Sequence, residues 1–316
     1  MKFLLPQGIG DSVWAIHKLQ SASKKVGDGK IEAYLNCSEE NDIQTRSLDF
    51  IQRFDFIDEA KMLPGISIHP PSGWIDEQGH YVYIPDGPLQ FCGETYYALM
   101  PNGHLERGNR LENWLPEFEI NWDVMQHFRI TEKELGCMKY LRDEIGDYAV
   151  FYLGPFAGNN QCGHNRDGMW TPQDWVDLGR RVHNELNLSI VVVGAPYDAM
   201  YYDFMIRPLV QDTGYWYSIL GNTNIGELYG VTMGSRFVIS YQSGVGIVSN
   251  YLGVPVGIFW RPKGNSINSE VFLSFEEEMA SAWARPSTIK AGRHMPLIYG
   301  RHDVGYIMSE IHKRGW

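Results

Sequence analysis

Along most of the chain, short apolar runs alternate with longer stretches in which apolar residues recur at helical spacing. Residues 2–5 (KFLL) read as a strand. The turn Pro6-Gln7-Gly8-Ile9-Gly10-Asp11 follows, with two glycines. Val13, Ile16 and Leu19 then predict a helix over 12–26, with Ser12 or Asp11 able to cap it. Residues 31–35 alternate like a second strand, 41–53 suit a helix, and 81–84 (YVYI) suit another strand. From 85 to 123 the pattern is irregular and dense in Gly, Pro and aromatic residues, among them Phe91, Tyr96, Tyr97, Trp114, Phe118 and Trp122. Long loops of this kind tend to carry function, and such rings can stack on a sugar or a flipped base. A polar helix over 131–145 places Leu135, Met138 and Leu141 on one face, and a domain boundary is expected near Gly146.

The second half is more regular. Residues 148–153 (YAVFYL) form a strand ending at Gly154, and 171–186 a helix with Trp175, Leu178 and Val182 inward. Residues 189–194 (SIVVVG) have the continuous apolar character of a strand buried in a parallel sheet. Helices over 197–210, 224–231 and 243–252 are interleaved with strands at 236–240 and 255–260. This alternation predicts a doubly wound parallel sheet. The first half alternates likewise, so two facing Rossmann-like domains are expected, 1–146 and 147–290. Residues 291–316 would form a C-terminal tail able to pack back on the first domain. Helices are expected over 270–284 and 302–314.

The chain has 316 residues, enough for two domains at about 150 residues each. An apolar fraction of 44% with 21% charged residues is that of a globular protein, which excludes collagen, coiled-coil and disordered chains. Lys+Arg is 27 against 38 Asp+Glu, and the net charge of −11 weighs against a mainly electrostatic hold on nucleic acid. Cys37, Cys92, Cys137 and Cys162 lie far apart with no paired spacing. They fit a reducing, cytoplasmic setting rather than a disulfide framework or a cysteine-based zinc site. No apolar run approaches the ~20 residues of a membrane span, and no leader pattern is expected at the start.

Ligands of open α/β sheets sit beyond the carboxyl ends of strands, near helix starts. Three turns there carry suitable residues. In Gly8-Ile9-Gly10-Asp11, glycines allow close backbone approach, and Asp11 suits either a general base or a helix-capping carboxylate. Val13 stands where a dinucleotide fingerprint needs its third Gly, and no phosphate-loop lysine is present. In Tyr241-Gln242-Ser243-Gly244-Val245-Gly246, amides at a helix start can hold a phosphate, with the Ser243 hydroxyl as a further donor; a simple serine-capped turn is the other reading. In the third, Thr223 or Asn224 caps a helix and Glu227 follows as in a capping box, or accepts hydrogen bonds from a ribose or sugar. Arg166 and Arg261 follow strands and can reach a diphosphate. Cys162-Gly163-His164 has no partner at zinc-site spacing, so no metal is expected.

Taken in order, these segments resemble glycosyltransferase family 9, the heptosyltransferases. The resemblance is carried by the Gly8–Asp11 turn, Trp170-Thr-Pro-Gln-Asp-Trp175, Val191-Val-Val-Gly194 with Asp198, and Leu220-Gly-Asn-Thr223 with Ile225-Gly-Glu-Leu228. The block from Ile239-Ser-Tyr-Gln-Ser-Gly244 to Leu252-Gly-Val-Pro255 completes it. It covers about residues 148–260 well and 1–20 thinly. It implies a GT-B architecture, two facing Rossmann-like domains with a deep cleft. It also implies a nucleotide-sugar donor in the second domain and an acceptor, a surface glycan or a hydroxymethylated DNA base, on the first. Asp11 becomes the candidate base, with Gly8 and Gly10 on the acceptor side. Ser243, Gly244, Val245, Gly246 and Arg166 become the diphosphate contacts, and Gly194, Thr223, Glu227 and Gln242 the nucleoside or sugar contacts. No metal or other cofactor is required. Gln242 replaces the family's Asp, Ile247 its His, and Gly168 stands where its Lys would be, so a sugar other than heptose is expected. An epimerase of similar architecture, or a non-catalytic sugar-nucleotide binder, are the alternatives.

Overall fold

The computed structural model describes residues 1–6, 8–36, 42–63, 68–69, 73–75, 81–83, 87–91, 93–100, 111–154, 170–260, 284–298 and 302–316. The chain divides into two units, Met1–Arg129 and Ile130–Trp316.

In the first unit, β1 (Lys2–Leu5), α1 (Ile9–Val26), β2 (Glu32–Asn36), α2 (Asp42–Gln52) and β3 (Glu59–Leu63) form a parallel βαβαβ run. Three short strands, β4 (Ile68–His69), β5 (Gly73–Ile75) and β6 (Tyr81–Tyr83), make a separate antiparallel sheet. The strand expected at 81–84 therefore lies outside the main sheet. A hairpin of β7 (Gly87–Phe91) and β8 (Glu94–Ala98) arises within the stretch read as irregular. Gly93, at φ +75°, serves its tight turn, and such a turn can join only antiparallel strands. β8 runs parallel to β1, so the order is β3-β2-β1-β8-β7 with an antiparallel edge.

The residues after β8 clasp α1. Lys18 is fully buried, and its ammonium donates to the carbonyls of Trp114 and Leu115, the latter at 2.9 Å. Burial pushes its pKa down to about 8. Asn121 N–H donates to His17 O (2.8 Å), and Glu119 N–H to Ser21 Oγ (2.8 Å). Trp114 and Phe118 are buried in this segment, and Tyr96 is buried on the sheet, edge-on to Tyr34, so these three rings belong to the core and do not form the expected stacking platform.

The second unit opens with α3 (Glu132–Ile145), started by a Thr131/Glu134 capping box. The sequence reading placed this helix in the first domain. Here it packs along α6 (Ile225–Gly234), where a Cβ on Gly230 would stand 3.3 Å from Glu134 O. The units accordingly part at 129/130, before Gly146. β9 (Tyr148–Tyr152) and β10 (Ser189–Val192) are apolar and buried almost throughout. Between them α4 (Pro172–Leu186) begins at a Thr171/Asp174 capping box and turns Trp175, Leu178 and Val182 inward. Its Gly179 leaves room for Trp216, whose Cζ2 lies 2.2 Å from where a Cβ would stand. After β10 comes a helical run, α5 (199–210), then β11 (Trp216–Ser218), α6, β12 (Val238–Tyr241), α7 (Gly244–Tyr251) and β13 (Val256–Trp260).

The tail expected over 291–316 is instead part of this unit. After α8 (Pro286–Lys290), β14 (His294–Ile298) pairs with β13 along its length. The last helix, α9 (Val304–Arg314), packs on α4, with His312 Nε2 2.7 Å from Glu185 Oε2. The result is a six-stranded parallel sheet, β11-β10-β9-β12-β13-β14. The helix expected over 270–284 falls almost wholly outside the described residues.

Candidate functional site

Counted from β9, the second unit's strands run 3-2-1-4-5-6. β9 and β12 are neighbours whose next strands, β10 and β13, lie on opposite sides of them, and in open α/β sheets ligands bind beyond the carboxyl ends of the strands at such a switch point. Gly154 stands at the end of β9 with φ +92°, and a Cβ there would lie 2.5 Å from Tyr241 Cδ2. The Tyr241 ring is buried and packs edge-on to Trp175. Tyr241 leads directly into the Gln242–Ser243 turn.

Ser243 is the N-cap of α7, and its Oγ accepts the Gly246 N–H at 3.4 Å. It also lies 3.0 Å from Ser240 Oγ, which is wholly buried and donates to Tyr241 O at 2.6 Å. Ser240 has one proton, so the Ser243 hydroxyl donates to it. The Ser243 hydroxyl is thus engaged locally and is no spare phosphate donor in this arrangement. Gly246 likewise serves packing: its amide is taken by Ser243, and a Cβ would stand 3.0 Å from Ser240 Oγ and 3.2 Å from Ile258 Cγ1. The amides of Gly244 and Val245 belong to the first turn of α7, where no intrahelical acceptor exists, and the helix dipole favours an anion there. Gln242 is exposed, its backbone N–H bonded to Phe259 O (2.9 Å).

The remaining second-unit candidates lie on neighbouring strand ends. Gly194 follows β10 with φ +156°, and a Cβ would meet Asp198 Oδ2 at 2.6 Å. Asp198 is buried and accepts the Ala195 N–H at 2.8 Å. Asn224, not Thr223, caps α6; its side chain accepts Glu227 N–H (2.9 Å), and Glu227 Oε2 accepts Asn224 N–H (2.9 Å). Cys137 Sγ lies 3.6 Å from Glu227 Oε1, its pKa raised by burial and by that carboxylate. Both Glu227 oxygens therefore have local partners, each with a lone pair to spare. Arg166, Arg261, Cys162, His164 and Gly168 lie outside the described residues.

In the first unit, β1 and β8 flank the corresponding switch point, and the turn after β1 carries Asp11. α1 begins at Ile9, earlier than the spacing of apolar residues predicts, so neither Ser12 nor Asp11 is its cap. Gly8 holds the N-cap position, and Ser12 Oγ donates to Pro6 O (2.8 Å). Asp11, half-buried in the first turn, reaches back over Gly8, where a Cβ would stand 2.9 Å from its Oδ2. Gly10 is buried in the same turn. A carboxylate at a helix start is stabilised by the dipole, so this turn presents a negative group where the α7 turn presents amides.

Ser240, Gly154 and Tyr241 were not candidates in the sequence reading. Ser240, a lone polar residue in an apolar strand, was the available signal. No family model and no curated protein matches the chain. Solved structures do. A family 9 glycosyl transferase from Veillonella parvula aligns over 99% of this chain and 96% of its own, with TM-score 0.61 and 12% identity. The fold is that of the family 9 glycosyltransferases. Escherichia coli ADP-heptose LPS heptosyltransferase II aligns over 99% and 98% at TM-score 0.61 and 10% identity. E. coli heptosyltransferase WaaC with ADP aligns over 99% and 100% at TM-score 0.54 and 12% identity. At such identities the likeness is one of fold. Among the described residues no helix is long and apolar enough to cross a membrane, and no His, Cys, Asp and Glu cluster suits a metal.

Proposed function

We propose that this chain is a glycosyltransferase that moves a sugar from a nucleotide-sugar donor to an acceptor hydroxyl. The observation that carries the reading is the position of the Ser243–Gly246 turn at the switch point of a 3-2-1-4-5-6 sheet, in a fold shared with family 9 transferases. The donor class follows the E. coli structures, which are described with ADP-heptose or ADP.

In this reading the donor diphosphate lies against the amides of Gly244 and Val245, with Arg166 as its cation. Gly194 allows close approach of a nucleoside, and Thr223, Glu227 and Gln242 supply polar contacts to it or to the sugar. Asp11 takes the proton of the acceptor hydroxyl as that oxygen attacks the anomeric carbon, and the bond from that carbon to the diphosphate oxygen breaks. The departing charge is met by fixed amide dipoles, which is the largest kind of catalytic contribution, and no metal is required. Gly8 and Gly10 shape the acceptor side. The net charge of −11 favours a glycan over a hydroxymethylated DNA base. We place the reaction in the cytoplasm, where nucleotide sugars are substrates.

The test is a thermal-shift panel of UDP-, GDP-, ADP-, CMP- and dTDP-sugars, followed by turnover with glycan and DNA acceptors. A ligand bound by the folded state alone raises the melting temperature. Asp11→Asn should lower turnover about 10²–10⁴-fold while leaving the donor-induced shift unchanged. Stabilisation by a donor with no transfer to any acceptor would make the chain a binding protein, and no stabilisation by any donor would end the reading.

A further inference from the structure

The helical run α5 carries an apolar surface on its outer side. Phe204 is 71% exposed, Met200 50%, Leu209 49% and Met205 45%, while Tyr202, Ile206 and Val210 face the core. The cause lies in the backbone. Pro208 has no N–H to give to the carbonyl four residues back, and Tyr202–Ile206 is wound as a π-helical turn. The wider turn sets Phe204 and Met205 side by side facing out. Monomeric proteins seldom leave such a group of large apolar side chains in water.

Two charges stand among them, Asp203 and Arg207, joined at 2.7 Å. We infer that α5 is the contact of a homodimer, in which a second copy lies antiparallel across a two-fold axis near residue 205. The charges choose this occupant. Such an axis exchanges positions 203 and 207, so Asp203 faces the partner's Arg207 and Arg207 the partner's Asp203. It also sets Met205 against the partner's Met205, with the Phe204 of each copy beside them. A patch that is its own complement is what an isologous interface requires. A lipid surface is disfavoured, because the patch carries no net positive charge and the chain carries −11 overall.

Sedimentation equilibrium of the full chain tests this, against the 36.2 kDa of one copy. One helix face makes a small interface, so reversible dimerisation is expected in the micromolar range, about 1–100 µM. Phe204→Glu should weaken it at least ~30-fold, the effect of losing a central anchor. Its exposure means that the fold survives, which circular dichroism checks. Asp203→Arg and Arg207→Asp should each weaken the dimer about 10-fold, and the double exchange D203R/R207D should restore it to within ~3-fold. Single species of one-copy mass up to ~100 µM would overturn the inference. A dimer unmoved by Phe204→Glu, or a double exchange no better than the single ones, would overturn it too. So would binding of the wild-type chain, but not Phe204→Glu, to phosphatidylcholine vesicles without self-association.

Discussion

Gly154→Ala tests whether the switch point of the second unit is built as described. The substitution acts in two ways. Its φ of +92° lies where side chains are disfavoured, which costs about 1–2 kcal/mol after allowing for the stiffer unfolded chain. The new methyl would also stand 2.5 Å from Tyr241 Cδ2 and 3.0 Å from Cε2. The ring cannot swing away freely, because Trp175 lies 5.5 Å and Phe259 5.5 Å from its centroid. Forcing it to move adds about 1–3 kcal/mol of overpacking. The sum is about 2–5 kcal/mol, and each kcal/mol lowers Tm by about 2–4 °C for a unit of this size. Gly214→Ala is the control: φ is +74°, yet nothing lies within 4 Å of the added carbon. It should show the backbone cost alone. Urea unfolding followed by tryptophan fluorescence gives both values. Equal losses would refute the packing of Tyr241 over Gly154. Because Tyr241 leads into the Ser243 turn, Gly154→Ala should also weaken donor-induced stabilisation, whereas Gly214→Ala should not.

Gly8→Ala carries no backbone strain at φ −76° but displaces the Asp11 carboxylate, so it should lower turnover at least ~10-fold, the share of a positioned base, with Tm nearly unchanged. Unaltered turnover would argue against Asp11 acting from its present position. Lys18 has its folded pKa lowered to about 8, against 10.5 when unfolded, so the unfolded state binds more protons between those values. Stability should therefore rise with pH across about 8 to 10.5, by up to about 3 kcal/mol, and Lys18→Met should lack that component of the slope in urea titrations. Asn224→Ala removes the α6 cap and should cost about 1 kcal/mol, whereas Asn224→Ser should recover most of it in the same unfolding assay.

Local pattern alone determined much of this protein. The buried strands β9, β10, β12 and β13, the capped helices between them and the turn at Ser243 follow from periodicity and cap chemistry, because each strand is a continuous apolar run and each helix carries its own cap and apolar face. The glycine turn before α1 was equally plain. Other features depended on distant partners. β14 is a strand because β13 offers it an edge, and α9 belongs to the second unit because α4 offers it a face. α1 gains its first turn because the chain leaves β1 through Pro6, whose carbonyl holds Ser12. Trp114 and Phe118 looked like platform residues until the buried Lys18 tied their segment to α1. Spacing could name Gly246 and Glu227 as ligand contacts. Only the packing showed one pressed against Ser240 and the other bonded to Asn224 and near Cys137. A motif specifies which groups are available, but their remaining hydrogen-bonding capacity is set by neighbours that the chain brings in from far along its length.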